Sequence, residues 1–264
     1  MNETITQKNY QKLTLLVGTG RLSFCCTNVL DNSISNLTSA TFPANIPTED
    51  ALWKTFVEHP ELKMPYDNIM VLHENSFNTF VPDALFDENY AASYLQYNTQ
   101  VFETDSFEFD NIGHQHIKNV YVPLVNINNY LLEKIGSFEF KNSNTVLVSK
   151  LLEAARNNIG KQVYIHIQDV HFEIVVTDNQ KLLFYNSFTY NTPEDFLYYL
   201  LFTLEQLELN PETVSIKLLG KIDEDSPLFK IGYEYIRNIA LYTQTTTNGL
   251  TEHQTREHFI LINA

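Results

Sequence analysis

With 264 residues, 44% hydrophobic and 13% aromatic, the chain can fill a sizeable core as one large domain or two modest ones, which excludes a disordered chain. Thirty-two acidic against 17 basic residues give a net charge of −15. That balance argues against direct binding to nucleic acid or an anionic membrane surface, and favours a basic protein among possible partners.

Cys25 and Cys26 are adjacent and would point to opposite faces of a strand, so neither a disulfide framework nor a CxxC metal site is available. The polar start, MNETITQKNY, has no apolar signal core, and no apolar run reaches about 18 residues. A cytoplasmic location is expected.

Along the chain, KLTLLVG (12–18) and RLSFCCTNV (21–29) predict a hairpin, and SISNLTSATF (33–42) a third strand. PTEDALWKTFVEH reads as a helix with Thr48 as N-cap, and NIMVLH (68–73) as a strand. DENYAASYLQYN (87–98) predicts a second helix capped by Asp87. The alternating stretch 100–113, the β-branched run KNVYVPLV (118–125), a helix ended by Gly136, a short strand at 137–143 and a helix from 144 follow.

From Lys161 the opening order restarts. QVYIHIQDV, HFEIVVTDNQ and KLLFYNSFTYN are three consecutive strand-like runs, one joined to the next through Asp178-Asn179. TPEDFLYYLLFTLEQLELN predicts a helix with Thr192 as cap and Pro193 at its first position. A strand (212–220), a helix (226–238), a short strand (239–243), a polar stretch (244–257) and a last apolar run (258–264) complete the chain. Residues 13–71 and 162–219 thus share one order: three strands, a helix, a strand.

NVYVPLVNINNYLLEKIGSFEFKNSNTVLVSKLLEAAR followed by QVYIHIQDVHFEIVVTDNQKLLFYNSF resembles the middle of actin-like pilus-assembly proteins. As a whole the chain resembles an uncharacterised bacterial family with the actin-like ATPase fold. That resemblance implies an α/β protein of two tandem ribonuclease H-like halves, 1–158 and 159–264, with mixed sheets flanked by helices. It also implies a link to RNA metabolism through a modifying-enzyme partner rather than direct RNA contact.

Members of the actin-like class bind ATP between the halves, using an Asp-x-Gly hairpin in each, with turn amides holding phosphate and the acid orienting magnesium. The matching hairpins here are Val17-Gly18-Thr19-Gly20-Arg21 and Ile167-Gln168-Asp169-Val170-His171. The first has glycines without aspartate, and the second has aspartate without glycine. Gly18, Thr19, Gly20 and Asp169 are therefore the candidate phosphate contacts, and no Walker-type loop exists.

Other constellations are weaker. His114 and His116 share one face of an extended segment but lack a third ligand nearby. His166 and His171 flank the second hairpin and read as satisfied strand histidines. His253 and His258 are five apart, which is the wrong helical spacing for a zinc-protease motif, so 251–259 reads as a solvated terminal segment. Asp223, Glu224 and Asp225 read as a loop before a helix, and no nucleophile can be named. The expected function is a non-catalytic cytoplasmic protein that binds another protein on a degenerate nucleotide-binding scaffold. The alternative is an ATP- or phosphate-binding enzyme using ATP with magnesium.

Overall fold

The computed structural model describes residues 8–97, 99–102, 104–158, 160–244 and 249–264, with the His114 side chain left aside. Strand β1 (Gln11–Val17) turns back antiparallel into β2 (Arg21–Asn28), which pairs with β3 (Ile34–Thr41). After α1 (Thr48–Glu58), β4 (Asn68–His73) lies parallel on the free edge of β1. An inserted unit follows: β5 (Asn78–Pro82), α2 (Ala91–Leu95), β6 (Glu108–Asn111) and β7 (Ile117–Tyr121) form an antiparallel sheet in the order β5-β7-β6, with α2 against it. The main sheet resumes through α3 (Val125–Ile135) and β8 (Glu139–Asn142), giving the order β3-β2-β1-β4-β8.

Helix α4 (Ser143–Ala154) leads to the second sheet, built from β9 (Lys161–Ile167), β10 (His171–Asp178), β11 (Lys181–Thr189), α5 (Pro193–Gln206), β12 (Ser215–Gly220), α6 (Pro227–Tyr235) and β13 (Asn238–Leu241). Its order, β11-β10-β9-β12-β13, repeats that of the first sheet strand for strand. Helices α7 (Glu252–Glu257) and α8 (Phe259–Ile262) close the chain.

The layers follow from side-chain alternation. The central strands β1 and β9 are buried on both faces, as strands covered on both sides are. Leu13, Leu15 and Val17 face α1 and α3 in one core; Val163, Ile165 and Ile167 face α5 and α6 in another. The opposite faces meet each other. Leu16, Cys25 and Leu72 from the first sheet join Tyr164, Val175 and Leu219 from the second, with α4 and α8 completing this shared core. Cys25 and Cys26 do point to opposite faces, both buried, and burial pushes the Cys25 thiol up to about 12.

Several local expectations need correction. Thr48 is not the cap of α1: Pro47 takes that position, and the Thr48 hydroxyl instead donates to the Thr19 carbonyl at 3.3 Å. Asp87 does cap, but it caps a single 3₁₀ turn, Glu88–Tyr90, before the five-residue α2, so the second helix is much shorter than 87–98. Among the described residues of the alternating stretch 100–113, only Glu108–Asn111 form a strand. The segment 251–259 is not a solvated tail. It forms α7, opened by a Thr251–Gln254 capping box, with Thr255 and Arg256 buried and Phe259, Ile260 and Leu261 in the shared core. The expected cap of α5 is present: Thr192 and Asp195 satisfy each other's backbone N–H groups.

A buried polar cluster fastens the inserted sheet to the main body. Asp110 on β6 accepts from the Asn142 amide at 2.9 Å and the Thr145 hydroxyl at 2.6 Å, while Asn78 and Asn119 bond each other across β5 and β7. Burial raises the Asp110 pKa.

Candidate functional site

The register of the two central hairpins fixes the site. In the first, Val17 pairs with Leu22 and the Gly18 N–H donates to the Arg21 carbonyl at 3.0 Å, leaving Thr19 and Gly20 as the bend. In the second, Ile167 pairs with Phe172 and the Gln168 N–H donates to the His171 carbonyl at 2.9 Å, leaving Asp169 and Val170. Position by position, Gly18 corresponds to Gln168, Thr19 to Asp169, Gly20 to Val170, and Arg21 to His171. The place an Asp-x-Gly pattern would give to aspartate is therefore held by Gly18 and Gln168, and Asp169 sits one residue further on. The residues just beyond β4 and β12, Glu74 and Lys221, correspond in the same way, because Val17 pairs with His73 and Ile167 with Gly220.

Both turns face one cavity of about 360 Å³, and Gly18, Thr19, Gly20 and Asp169 all line it. The amides of Thr19, Gly20, Asp169 and Val170 have no acceptor among the described residues. The glycines, however, have uneven reasons to be there. A Cβ on Gly18 would sit 3.1 Å from the Glu74 carbonyl oxygen, whereas one on Gly20 would meet nothing within 4 Å. Neither bend needs a positive φ, which is why Val170 fits in the second.

The charges in this cavity are already matched. Arg21 donates to both oxygens of Glu74, Nε reaching Oε2 at 2.7 Å, and its Nη2 crosses to Gln168 Oε1 on the other hairpin at 2.7 Å. Lys221 holds Asp169. Glu173, fully buried on β10, accepts from His166 Nδ1 at 2.8 Å and from His171 Nε2 at 3.1 Å. Burial alone would raise the Glu173 pKa, but the two imidazoles overcome it and hold the carboxyl down at about 2. Burial lowers the His171 pKa, yet the Glu173 hydrogen bond and charge outweigh it and leave it raised. In the sequence Glu173 lies four residues from Asp169 and would share a face with it only if the strand ran on through the bend; the chain turns there instead, and the hairpin register places Glu173 directly opposite His166.

The remaining candidates scatter. His116, in a left-handed conformation, lies 3.5 Å from Asp83, and the His114 side chain is outside the described residues. His253 and His258 both approach Glu257, at 3.6 and 3.9 Å. Asp223 accepts from the Asp225 amide, closing the loop before α6, and Asp225 lies 3.7 Å from Lys230. Among the described residues, no three His, Cys, Asp or Glu side chains converge as metal ligands, and no helix is long and apolar enough to cross a membrane. A larger groove of about 740 Å³ opens between the inserted unit and α3, with Thr48, Glu49, Asp105, Leu124 and Asn126 in its walls.

Comparison with solved structures places this architecture. A Bacteroides thetaiotaomicron protein with actin-like ATPase fold and unknown function superposes with a TM-score of 0.81 at 21% identity, over 90% of this chain and 93% of that one. The type IV pilus biogenesis complex PilM–PilN provides a second match, with a TM-score of 0.67 at 13% identity, over 95% and 96%. The fold is thus the actin-like ATPase fold, with mixed sheets flanked by helices. No curated protein matches the sequence. The model of a family described as "Protein of unknown function (DUF3822)" matches residues 1–239, and the chain belongs to that family.

Proposed function

We propose that this protein is a nucleotide-independent, non-catalytic binding module, whose two halves, 1–158 and 159–264, are closed on each other by side chains where an actin-like ATPase would hold ATP. Ile159, at that boundary, lies outside the described residues. One observation carries the reading: the Arg21 guanidinium is committed to Glu74 in its own half and Gln168 in the other. A polyphosphate entering between the hairpins would have to part these pairs. Breaking a buried ion pair costs about 3–5 kcal/mol, and the cavity offers no spare cation in return.

The partner is a protein. PilM, which shares the fold, is found in a complex with PilN, and the −15 charge suits a basic partner. The 740 Å³ groove, with Glu49 and Asp105 in its walls, offers a concave surface for an extended segment. Immobilised protein is expected to retain one stoichiometric partner from lysate of its own cells, equally with and without Mg-ATP, and the Glu49→Lys/Asn126→Lys variant is expected to lose it. Retention that depends on Mg-ATP, or is unchanged in the variant, would refute the reading.

The second reading, an ATP- or phosphate-binding enzyme with magnesium, draws on the four turn amides at Thr19, Gly20, Asp169 and Val170 that lack an internal acceptor. Those four amides, rather than the side chains, would be its phosphate contacts.

A further inference from the structure

A continuous hydrogen-bonded chain runs from one half of the molecule into the other: Glu74, Arg21, Gln168, His166, Glu173, His171. Arg21 fixes the protons along it from Gln168 to Glu173. A guanidinium only donates, so the Gln168 oxygen must face Arg21, and the Gln168 NH₂ must face His166 Nε2, 2.8 Å away. That ring nitrogen therefore accepts, and the other, Nδ1–H, donates to the Glu173 carboxylate. The chain is complete only when His166 is neutral.

A second proton on His166 would set Nε2–H against the Gln168 NH₂, donor against donor. The amide could relieve this only by flipping, which would turn its NH₂ toward Arg21 and break the bond between the hairpins. We propose that the Gln168 amide is a proton-operated latch on the hairpin end of the cleft: neutral His166 ties the two halves together through Arg21, and protonated His166 releases them. The shared core of α4, α8 and the two inner sheet faces holds the rest of the contact from Leu16 and Leu219 downward, so release opens the hairpin end only.

The charged surroundings of His166 are all in view. Glu173 holds it from β10 and is itself paired with His171; Arg21 from β2, paired with Glu74, and Lys221 from the turn beyond β12, paired with Asp169, line a cavity with it. Glu257 and His258 line a small cavity of about 50 Å³ together with His166. Gly220 backs the ring, and a Cβ there would stand 3.1 Å from His166 Cδ2. The ring is held at Nδ1 by Glu173, so the amide is the element that moves. This inference rests on the side-chain geometry alone and holds whether or not the cleft binds nucleotide.

The test places nitroxide labels on the two bends, in Thr19→Cys/Val170→Cys, and follows their separation by pulsed dipolar spectroscopy between about pH 8 and pH 5, the span in which histidines titrate. The expected result is one narrow distance at the upper end and a growing longer population toward the lower. Adding Gln168→Glu should reverse the trend, because a carboxylate accepts from Arg21 and from protonated His166 at once. A pH-independent distance in the labelled protein, or a longer population at low pH in the Gln168→Glu variant as well, would overturn the latch. Should that variant fail to fold, imidazole ¹⁵N spectra of the unmodified protein decide: Nδ1–H with a bare Nε2 on His166 at about pH 8 supports it, and Nε2–H refutes it.

Discussion

Replacing Arg21 by methionine keeps the length of the side chain and removes the fork that joins the halves. Arg21 and Glu74 are only 16% and 15% exposed, so the variant strands a carboxylate in a largely dry place. Removing one member of a buried pair costs about 3–5 kcal/mol. Glu74 keeps a narrow path to water, and Gln168 loses only a neutral acceptor's bond, so the lower end, about 3 kcal/mol, is expected here. At roughly 2–4 °C per kcal/mol for a domain of this size, the midpoint should fall by about 6–12 °C.

Glu74→Leu should cost a similar amount by stranding the cation, whereas Arg21→Met/Glu74→Leu should recover most of the loss, because an apolar pair in the same space has no charge to desolvate. Calorimetric or urea unfolding of the four proteins gives the coupling. If each single substitution costs less than about 0.5 kcal/mol, the pair behaves as an ordinary surface ion pair, and the idea of a side-chain closure fails.

Four further outcomes follow from named contacts. Gly18→Ala should destabilise, because its Cβ meets the Glu74 carbonyl at 3.1 Å, while Gly20→Ala, with open space and no positive φ, should stay within about 0.5 kcal/mol of wild type in urea unfolding. Gly220→Ala should be among the most damaging changes, about 4 kcal/mol or more or no soluble protein, since φ is +88° and the new Cβ would lie 2.2 Å from the Ile167 carbonyl oxygen. Thr192→Ala should cost about 1 kcal/mol by opening the cap of α5. Glu173 and His171 make stability depend on pH from both sides. The depressed carboxyl contributes above its unfolded range near 4.3 and loses that contribution as pH falls toward about 2; the raised imidazole contributes below its unfolded value near 6.5 and loses it as pH rises through its higher folded value. Glu173→Gln should flatten both flanks of a stability–pH curve.

The duplicated strand order was legible in the sequence because each half opens with runs whose alternation and turn residues are local signals, and because Thr192-Pro193 marks the start of α5 without outside help. The inserted sheet was not. β5, β6 and β7 are short, and their pairing joins residues as far apart as Asn78 and Tyr121, which no local pattern encodes. Helix α7 hid behind a polar composition, although Thr251-x-x-Gln254 is a capping-box signal, and the burial of Arg256 depends on the Ile222 carbonyl far along the chain. In the candidate site, the two bends could be matched by eye, but the partner of Arg21 could not, since Glu74 reaches it only through the parallel pairing of β4 with β1.

The central claim is that side chains, rather than a nucleotide, close this cleft. Thermal unfolding with saturating Mg-ATP, Mg-ADP and magnesium alone tests it most directly. The account predicts the same midpoint in all three. A ligand present at about 100 times its dissociation constant would add roughly 2.7 kcal/mol, so a rise on the order of 5–10 °C with Mg-ATP beyond that with magnesium alone would contradict it.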